Sequence, residues 1–255
     1  KGPNDLGMPW SLWTRQAVAV FIERRFSVHL TVWTVGRMLR KWKMTPQKPA
    51  RRAYEQQPEA VKKWLNEEYP RIVRLAKKEN ADIHWGDQTG FRSDHQTGTT
   101  YGRIGETPVI FGTGKRFSCS MLSALTNKGE LKFMLYDQTF NAQLCIDFMK
   151  RLIKHCKRKP FVILDRHPVH RSQRLQKWLT DNQKQVKVFL LPGYAPELNP
   201  DELVNQDVKS NALGKSRPTT LREMKHVIRS FMMKKQRDAG TVIAYFKKAS
   251  VRYAA

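Results

Sequence analysis

Apolar residues return at helical intervals through the first fifty positions and again after residue 59. Thr14 to Arg25 carries Val18, Phe21 and Ile22 at helical spacing. After a break at Phe26–Leu30 the period resumes from Thr31 to Trp42 with Val32, Val35, Met38, Leu39 and Trp42. The other face of that second helix offers Thr34, Arg37, Arg40 and Lys41. Residues 59–79 predict a further amphipathic helix with Val61, Trp64, Leu65, Ile72 and Leu75 on one stripe, which Pro70 should kink or split. Between these lies a Pro-rich, basic stretch over residues 43–58, which has the composition of a linker.

From Ala81 the period changes. Asp82–Trp85 predicts a short strand ending at Gly86-Asp87, and Thr107–Phe111 a strand-like run closed by Gly112-Thr113-Gly114. Phe117–Leu125 and Leu131–Tyr136 form a hairpin pattern around Asn127-Lys128-Gly129. Helical patterns at 141–156 and 171–182 alternate with the apolar runs Pro160–Leu164 and Val186–Leu191, as expected of buried central strands. Helices should follow at 201–213, 221–234 and 240–248. The order predicts an α/β fold: a ribonuclease H-like mixed sheet flanked by helices, preceded by a small all-α helix-turn-helix, winged-helix-like unit. The expected division is 1–50 for that unit, 51–79 for the basic linker and helix, and 80–255 for the α/β domain.

Charge narrows the reading. Across 255 residues, 47 Lys+Arg face 22 Asp+Glu, a net charge of +25 with a pI near 10.3. That surplus disfavours an ordinary metabolic enzyme and favours a polyanionic partner. A hydrophobic fraction of 40% and seven Trp exclude a disordered basic tail. Three cysteines, at 119, 145 and 156, exclude a disulfide scaffold and a CxxC zinc ribbon, and the chain reads as cytosolic. No apolar run approaches the roughly 20 residues that span a bilayer. With this charge, the two N-terminal helices suit a helix-turn-helix whose second helix enters a major groove. A plain helical hairpin with a solvated face fits the same pattern.

Three acids stand at informative places. Asp87 closes the first predicted strand, Asp165 closes the run Phe161-Val162-Ile163-Leu164, and Glu202 sits just inside the helix after Pro200. Residues at strand carboxyl ends project into the functional crevice of α/β sheets. Each acid alone is equally a cap, a turn residue or a helix-dipole partner. Converging, they would repel one another and hold protons unless a hard divalent cation sat among them. Two such ions about 3.5–4 Å apart can serve phosphodiester chemistry.

The segments Asp165-Arg166-His167-Pro168-Val169-His170-Arg171-Ser172 and Leu191-Pro192-Gly193-Tyr194-Ala195-Pro196-Glu197-Leu198-Asn199-Pro200-Asp201-Glu202 closely resemble bacterial insertion-sequence transposases of the Tc/mariner superfamily, the IS-six-thirty group. Gly86-Asp87-Gln88-Thr89-Gly90-Phe91-Arg92-Ser93-Asp94 resembles the first acidic block of that family. The resemblance implies a DDE transposase in which Asp87, Asp165 and Glu202 hold two Mg²⁺ or Mn²⁺ ions. It implies cleavage at element ends, joining of the freed 3′-hydroxyls to a target, typically TA, and a homodimer on double-stranded DNA. It also implies a bacterial cytoplasmic, nucleoid-associated protein, with a first helix-turn-helix missing upstream of residue 1. Gln88, Arg166 and Asn205 depart from the family pattern, which often has Glu, then Asn or Gly, then Trp.

The DNA-facing set is expected to comprise Arg37, Arg40 and Lys41 on the recognition helix, with Lys48, Arg51 and Arg52 in the linker. Lys115 and Arg116 in the Gly-rich turn, His170 and Arg171 complete it. His170 serves equally well as a helix-start residue bonded near the sheet. Of the neighbours Asp201 and Glu202, only one can face the metals, because one helical step rotates a side chain by about 100°. Trp10, Trp13, Trp33 and Trp64 read as packing residues, and His155-Cys156 as a packed helix end without zinc partners at sequence spacing. A decayed or domesticated DNA-binding derivative and a ribonuclease H-like nuclease without joining activity are the competing functions.

Overall fold

The computed structural model describes residues 1–47, 49, 53–94, 101–109 and 113–255, which fall into two compact units, Lys1–Arg51 and Arg52–Ala255. Lys48, Arg51 and Arg52, expected to touch DNA, lie outside the described residues, as do residues 110–112.

The first unit is built on α1 (Arg15–Phe26) and α2 (Val32–Lys41). Each begins on a threonine whose hydroxyl accepts an otherwise unpaired N–H: Thr14 from Ala17 at 3.1 Å, and Thr31 from Thr34 at 3.2 Å. Ser27 ends α1 in the left-handed conformation. Ala17, Ala19, Val35 and Gly36 are buried, and a methyl group on Gly36 would come within 3.1 Å of Arg15 Nε. Arg37, Arg40 and Lys41 are exposed along the outer face of α2. Two aromatic expectations fail here. Trp33 is 75% exposed and Trp42, at the end of α2, is 54% exposed. A helix this short has one inward stripe, and Val35 with Gly36 occupies it.

The second unit opens with α3 (Pro58–Lys63), a π-helical turn over Trp64–Glu68, and α4 (Tyr69–Lys78). The π turn interrupts the α-helix directly before Pro70, so the expected split falls there. Pro70 enters in the first turn of α4, directly after the π turn, a position at which proline disturbs a helix least. Five strands follow among the described residues: β1 (Ala81–Arg92), β2 (Ser118–Leu125), β3 (Leu131–Tyr136), β4 (Lys159–Leu164) and β5 (Lys187–Leu190). Their order is β3-β2-β1-β4-β5, antiparallel on the β3 side and parallel from β1 to β5. Gly129 (φ +92°) makes the β2–β3 turn, and a side chain there would strike Ala239.

β1 runs seven residues beyond Trp85, because β2 pairs with its second half from Trp85↔Leu125 to Arg92↔Ser118. Thr107–Val109 is not a strand. β5 is half-buried throughout, as an edge position dictates, and is not a central strand.

Between β3 and β4 lies α5 (Ala142–His155), capped by Asn141. Between β4 and β5 lies α6 (Gln173–Asp181). These cover one face of the sheet through Leu144, Phe148, Met149, Leu152 and Leu175 against Val162 and Leu164. The other face packs Trp85, Phe91, Met121 and Ile163 against α4, α7 (Asp201–Asp207) and α8 (Leu221–Arg237). The chain closes with α9 (Ala239–Tyr245) and a short turn carrying Tyr253. Tyr253 stacks edge-on to Trp85 at 5.7 Å and to Tyr69 at 5.0 Å.

A candidate carboxylate centre at the strand ends

The last parallel pair between β1 and β4 is Trp85↔Ile163. Asp87 and Asp165 each stand two residues further on, so side-chain alternation puts them on the same face at the same level. Asp87 is thus mid-strand rather than strand-closing. What ends beside it is the parallel pairing, and that opens the crevice. The main chain at Gly86 must stay bare, because a Cβ there would lie 2.8 Å from Leu164 Cδ2 and 3.3 Å from the Ser123 carbonyl.

The third acid arrives on α7. Asn199 Nδ2 donates to the Gly86 carbonyl at 3.1 Å, while its Oδ1 accepts the Asp201 N–H at 3.1 Å. One buried amide thus ties the start of α7 to the residue preceding Asp87. The loop before it is anchored from outside. Arg166 Nε donates to Leu191 O at 2.8 Å, Tyr253 Oη to Leu198 O at 2.9 Å, and Gln56 Nε2 to Tyr194 O at 2.9 Å. Asp87, Asp165 and Glu202 line one cleft of about 570 Å³ with His167, Arg171, Asn199 and the Pro192–Pro196 loop.

Asp201 and Glu202 part company at once. Asp201 is fully buried, its Oδ2 accepting from Ser123 Oγ at 2.8 Å on neighbouring β2, while Glu202 is half-buried and faces the cleft. Asn205, one turn further along α7, donates from Nδ2 to Asp87 Oδ2 at 2.7 Å. Sequence reasoning noted Asn205 only as a departure from family habit. Its spacing, three residues from Glu202 and four from Asp201, was the signal that it shares their side of the helix. Asn199 and Ser123 left no comparable trace.

The electrostatics follow burial and charge. Burial, then the Glu202 and Asp165 carboxylates, push Asp87 up to about 8 against the Gln88 N–H and Lys209. Burial and the Asp87 carboxylate raise Asp201 well above the ordinary carboxylate range despite Ser123. Burial, with Asp165, also raises Glu202, against Lys209. Asp165 goes the other way. Burial is the largest single influence and raises it, but hydrogen bonds from His170 and the His167 N–H, with the charge on both imidazoles, together lower it.

His170 is therefore not a DNA-facing residue. It is 1% exposed, its Nδ1 lies 2.9 Å from Asp165 Oδ1 and 3.1 Å from the Asp165 carbonyl, and Phe140 packs edge-on to its ring at 5.6 Å. Two acceptors on Nδ1 place the proton there, and the ring holds Asp165 from behind. Arg171 is exposed at the cleft rim, and Lys115 and Arg116 are exposed on the stretch leading into β2.

Comparison with known proteins agrees with this geometry. The DDE superfamily endonuclease model matches residues 82–225, more than half of the chain, and a winged helix-turn-helix model matches residues 11–68. Among solved structures, the Mos1 mariner paired-end complex with Mn superposes with a TM-score of 0.64 at 14% identity, covering 99% of this chain and 78% of that one. The Mos1 strand transfer complex gives 0.61 at 14% identity, over 95% and 78% of the two chains. The Mos1 catalytic domain alone gives 0.52 at 14% identity, over 82% and 98%. These similarities establish the ribonuclease H-like fold. No curated protein sequence matches the chain significantly. With its mixed sheet, its clustered cleft carboxylates and the family match across both, the chain belongs to the DDE superfamily endonuclease family.

Proposed function

We propose that the protein is a DNA transposase of the Tc/mariner superfamily, from the bacterial IS-six-thirty group. It binds terminal inverted repeats, cuts at element ends and joins the freed 3′-hydroxyls to a TA target, acting as a homodimer on double-stranded DNA in the bacterial cytoplasm. The observation that carries this reading is the shared cleft of Asp87, Asp165 and Glu202 in a chain of net charge +25.

The donor set fits hard divalent cations. It offers only carboxylate oxygens, and burial against two neighbouring acids leaves Asp87 carrying a proton near neutrality that a cation would displace. Asp87, Asp165 and Glu202 would hold two Mg²⁺ or Mn²⁺ ions. When bound, such ions activate a water or 3′-hydroxyl and stabilise the leaving oxygen of a phosphodiester. The protein's own part is positional. Asn205 and Asn199 fix Asp87 relative to α7, and His170 keeps Asp165 ionised and aimed into the cleft. Arg171 at the rim supplies charge for the scissile strand. Arg37, Arg40 and Lys41 dock α2 on DNA, and Lys115 and Arg116 track phosphates, as Lys48, Arg51 and Arg52 would from the linker.

The test uses the full chain with duplexes carrying the inverted repeats that flank its coding sequence. Mg²⁺-dependent cutting, followed by joining of a precut 3′-OH end to a TA-bearing plasmid, is expected. Asp165→Asn should bind the ends nearly as well and not cut. Unimpaired cutting by that variant overturns the assignment. Cutting without joining makes the protein a nuclease, and binding without cutting makes it a DNA-binding derivative.

A further inference from the structure

A second cluster of chemically apt side chains lies at the other end of the sheet. His84 on β1, Glu130 just before β3 and Cys156 at the end of α5 place one ligand atom each within 4.8 Å of one another. His84 Nε2 lies 3.3 Å from Cys156 Sγ and 3.9 Å from Glu130 Oε2. Zinc–ligand bonds of about 2.0–2.3 Å in tetrahedral geometry hold donor atoms about 3.3–3.6 Å apart, so Cys156 Sγ already stands at that spacing from His84 Nε2 and Glu130 Oε2 slightly beyond it.

Two features show that the imidazole is set for a cation. His84 is 1% exposed, and its Nδ1 lies 3.0 Å from the Asp82 carbonyl, an acceptor only. The proton is therefore on Nδ1, and the Nε2 lone pair points at the thiol and the carboxylate. A carbonyl behind the ring is how metal-ligating histidines are oriented. The ligand charges also balance: a thiolate, a carboxylate and a neutral imidazole carry −2 together, which one divalent ion neutralises in a partly buried place. Lys132 and Asp82 are the other charged groups that act on His84, and they oppose each other in sign.

We propose that His84 Nε2, Glu130 and Cys156 Sγ form a site for one thiophilic divalent cation of the Zn²⁺ class, with water completing the tetrahedron. Binding replaces the Cys156 S–H by a sulfur–metal bond and releases that proton to solvent. The site is separate from the carboxylate cleft. His84 pairs with Val162 and shares its face of the sheet with α5, whereas Asp87 lies on the opposite face toward α7. It clips together β1, the β2–β3 turn and the end of α5, three pieces far apart in sequence. The sequence alone concealed it, since Cys156 has no partner at local zinc spacing.

The experiment is a Co²⁺ titration of the full-length, metal-stripped protein followed by absorption spectroscopy. One equivalent of Co²⁺ should raise a thiolate-to-cobalt charge-transfer band in the near ultraviolet, and added Zn²⁺ should abolish it by displacement. Asp165→Asn should leave the band intact, and Cys156→Ser should remove it. Glu130→Gln, at a partly exposed position that tolerates the change, should weaken Co²⁺ binding at least about tenfold and serves if the serine variant does not fold. Absence of the band, its survival in Cys156→Ser, or unchanged affinity in Glu130→Gln overturns the proposal.

Discussion

Asn205 Nδ2 donates to Asp87 Oδ2 at 2.7 Å, joining the second turn of α7 to the middle of β1, and both side chains are buried. Asp87 is the most proton-retentive of the three cleft acids, so this amide helps hold a carboxylate that its surroundings resist ionising. Loss of such a supporting bond typically costs about 10–100-fold in metal affinity or activity. Asn205→Ala should weaken Mn²⁺ binding by that factor in calorimetry while thermal unfolding stays cooperative. Unchanged affinity would show that Asp87 needs no help from α7.

The same crowding predicts how stability depends on pH. Asp87 has an ordinary value near 3.8 in the unfolded chain and about 8 in the folded one. The folded state therefore favours its protonated form. That stabilisation is complete below about pH 4 and is lost as pH rises through about 8. In the presence of chelator, unfolding free energy should fall across this range, by up to about 1.4 kcal/mol per pH unit for each proton released. Asp87→Asn should flatten the curve in denaturant titrations. A wild-type curve that is already flat would contradict the buried, crowded carboxyl.

Asp165 has the opposite sign, being held below the ordinary range chiefly by His170 once burial is overcome. Removing the imidazole should let the Asp165 carboxyl rise. His170→Ala is expected to move the acid limb of the cleavage–pH profile to higher pH, with about 10–100-fold lower activity at the acid end and a smaller loss at alkaline pH. A uniform loss at every pH would reduce His170 to a packing residue.

Much of the catalytic unit was legible in the sequence because its signals are local. The alternation around Asn127-Lys128-Gly129, the apolar run before Asp165 and the helical period over 141–156 each need only a few neighbouring residues. What escaped depends on distant pairing. β1 extends past Asp87 only because β2 lies beside it, and β5 is half-buried because, among the described residues, no strand pairs on its far side. The interruption at Pro70 was legible, but not that it takes the form of a π turn. Side-chain direction was hidden too: neither the outward turn of Trp33 nor the inward turn of His170 can be told from residue type. The cleft acids were found by motif and strand position, while their buried supports Asn199, Asn205 and Ser123 became visible only in three dimensions.

The exposed cations on α2 give a prediction independent of the cleft. Affinity for a fluorescent duplex of arbitrary sequence should drop several-fold or more between about 50 and 200 mM salt. Replacing Arg37, Arg40 or Lys41 singly by Ala should lower the slope of log affinity against log salt by about 1 where the residue meets a phosphate. Binding that ignores salt would remove these residues from the DNA interface.

The central claim is that Asp87, Asp165 and Glu202 share divalent ions, and the most direct measurement is anomalous diffraction from crystals soaked in Mn²⁺. Manganese peaks within bonding distance of carboxylate oxygens from all three residues are predicted, and they should vanish in Asp165→Asn. Crystals of the unaltered protein with no manganese in the cleft, or with manganese held there by none of the three, would contradict it.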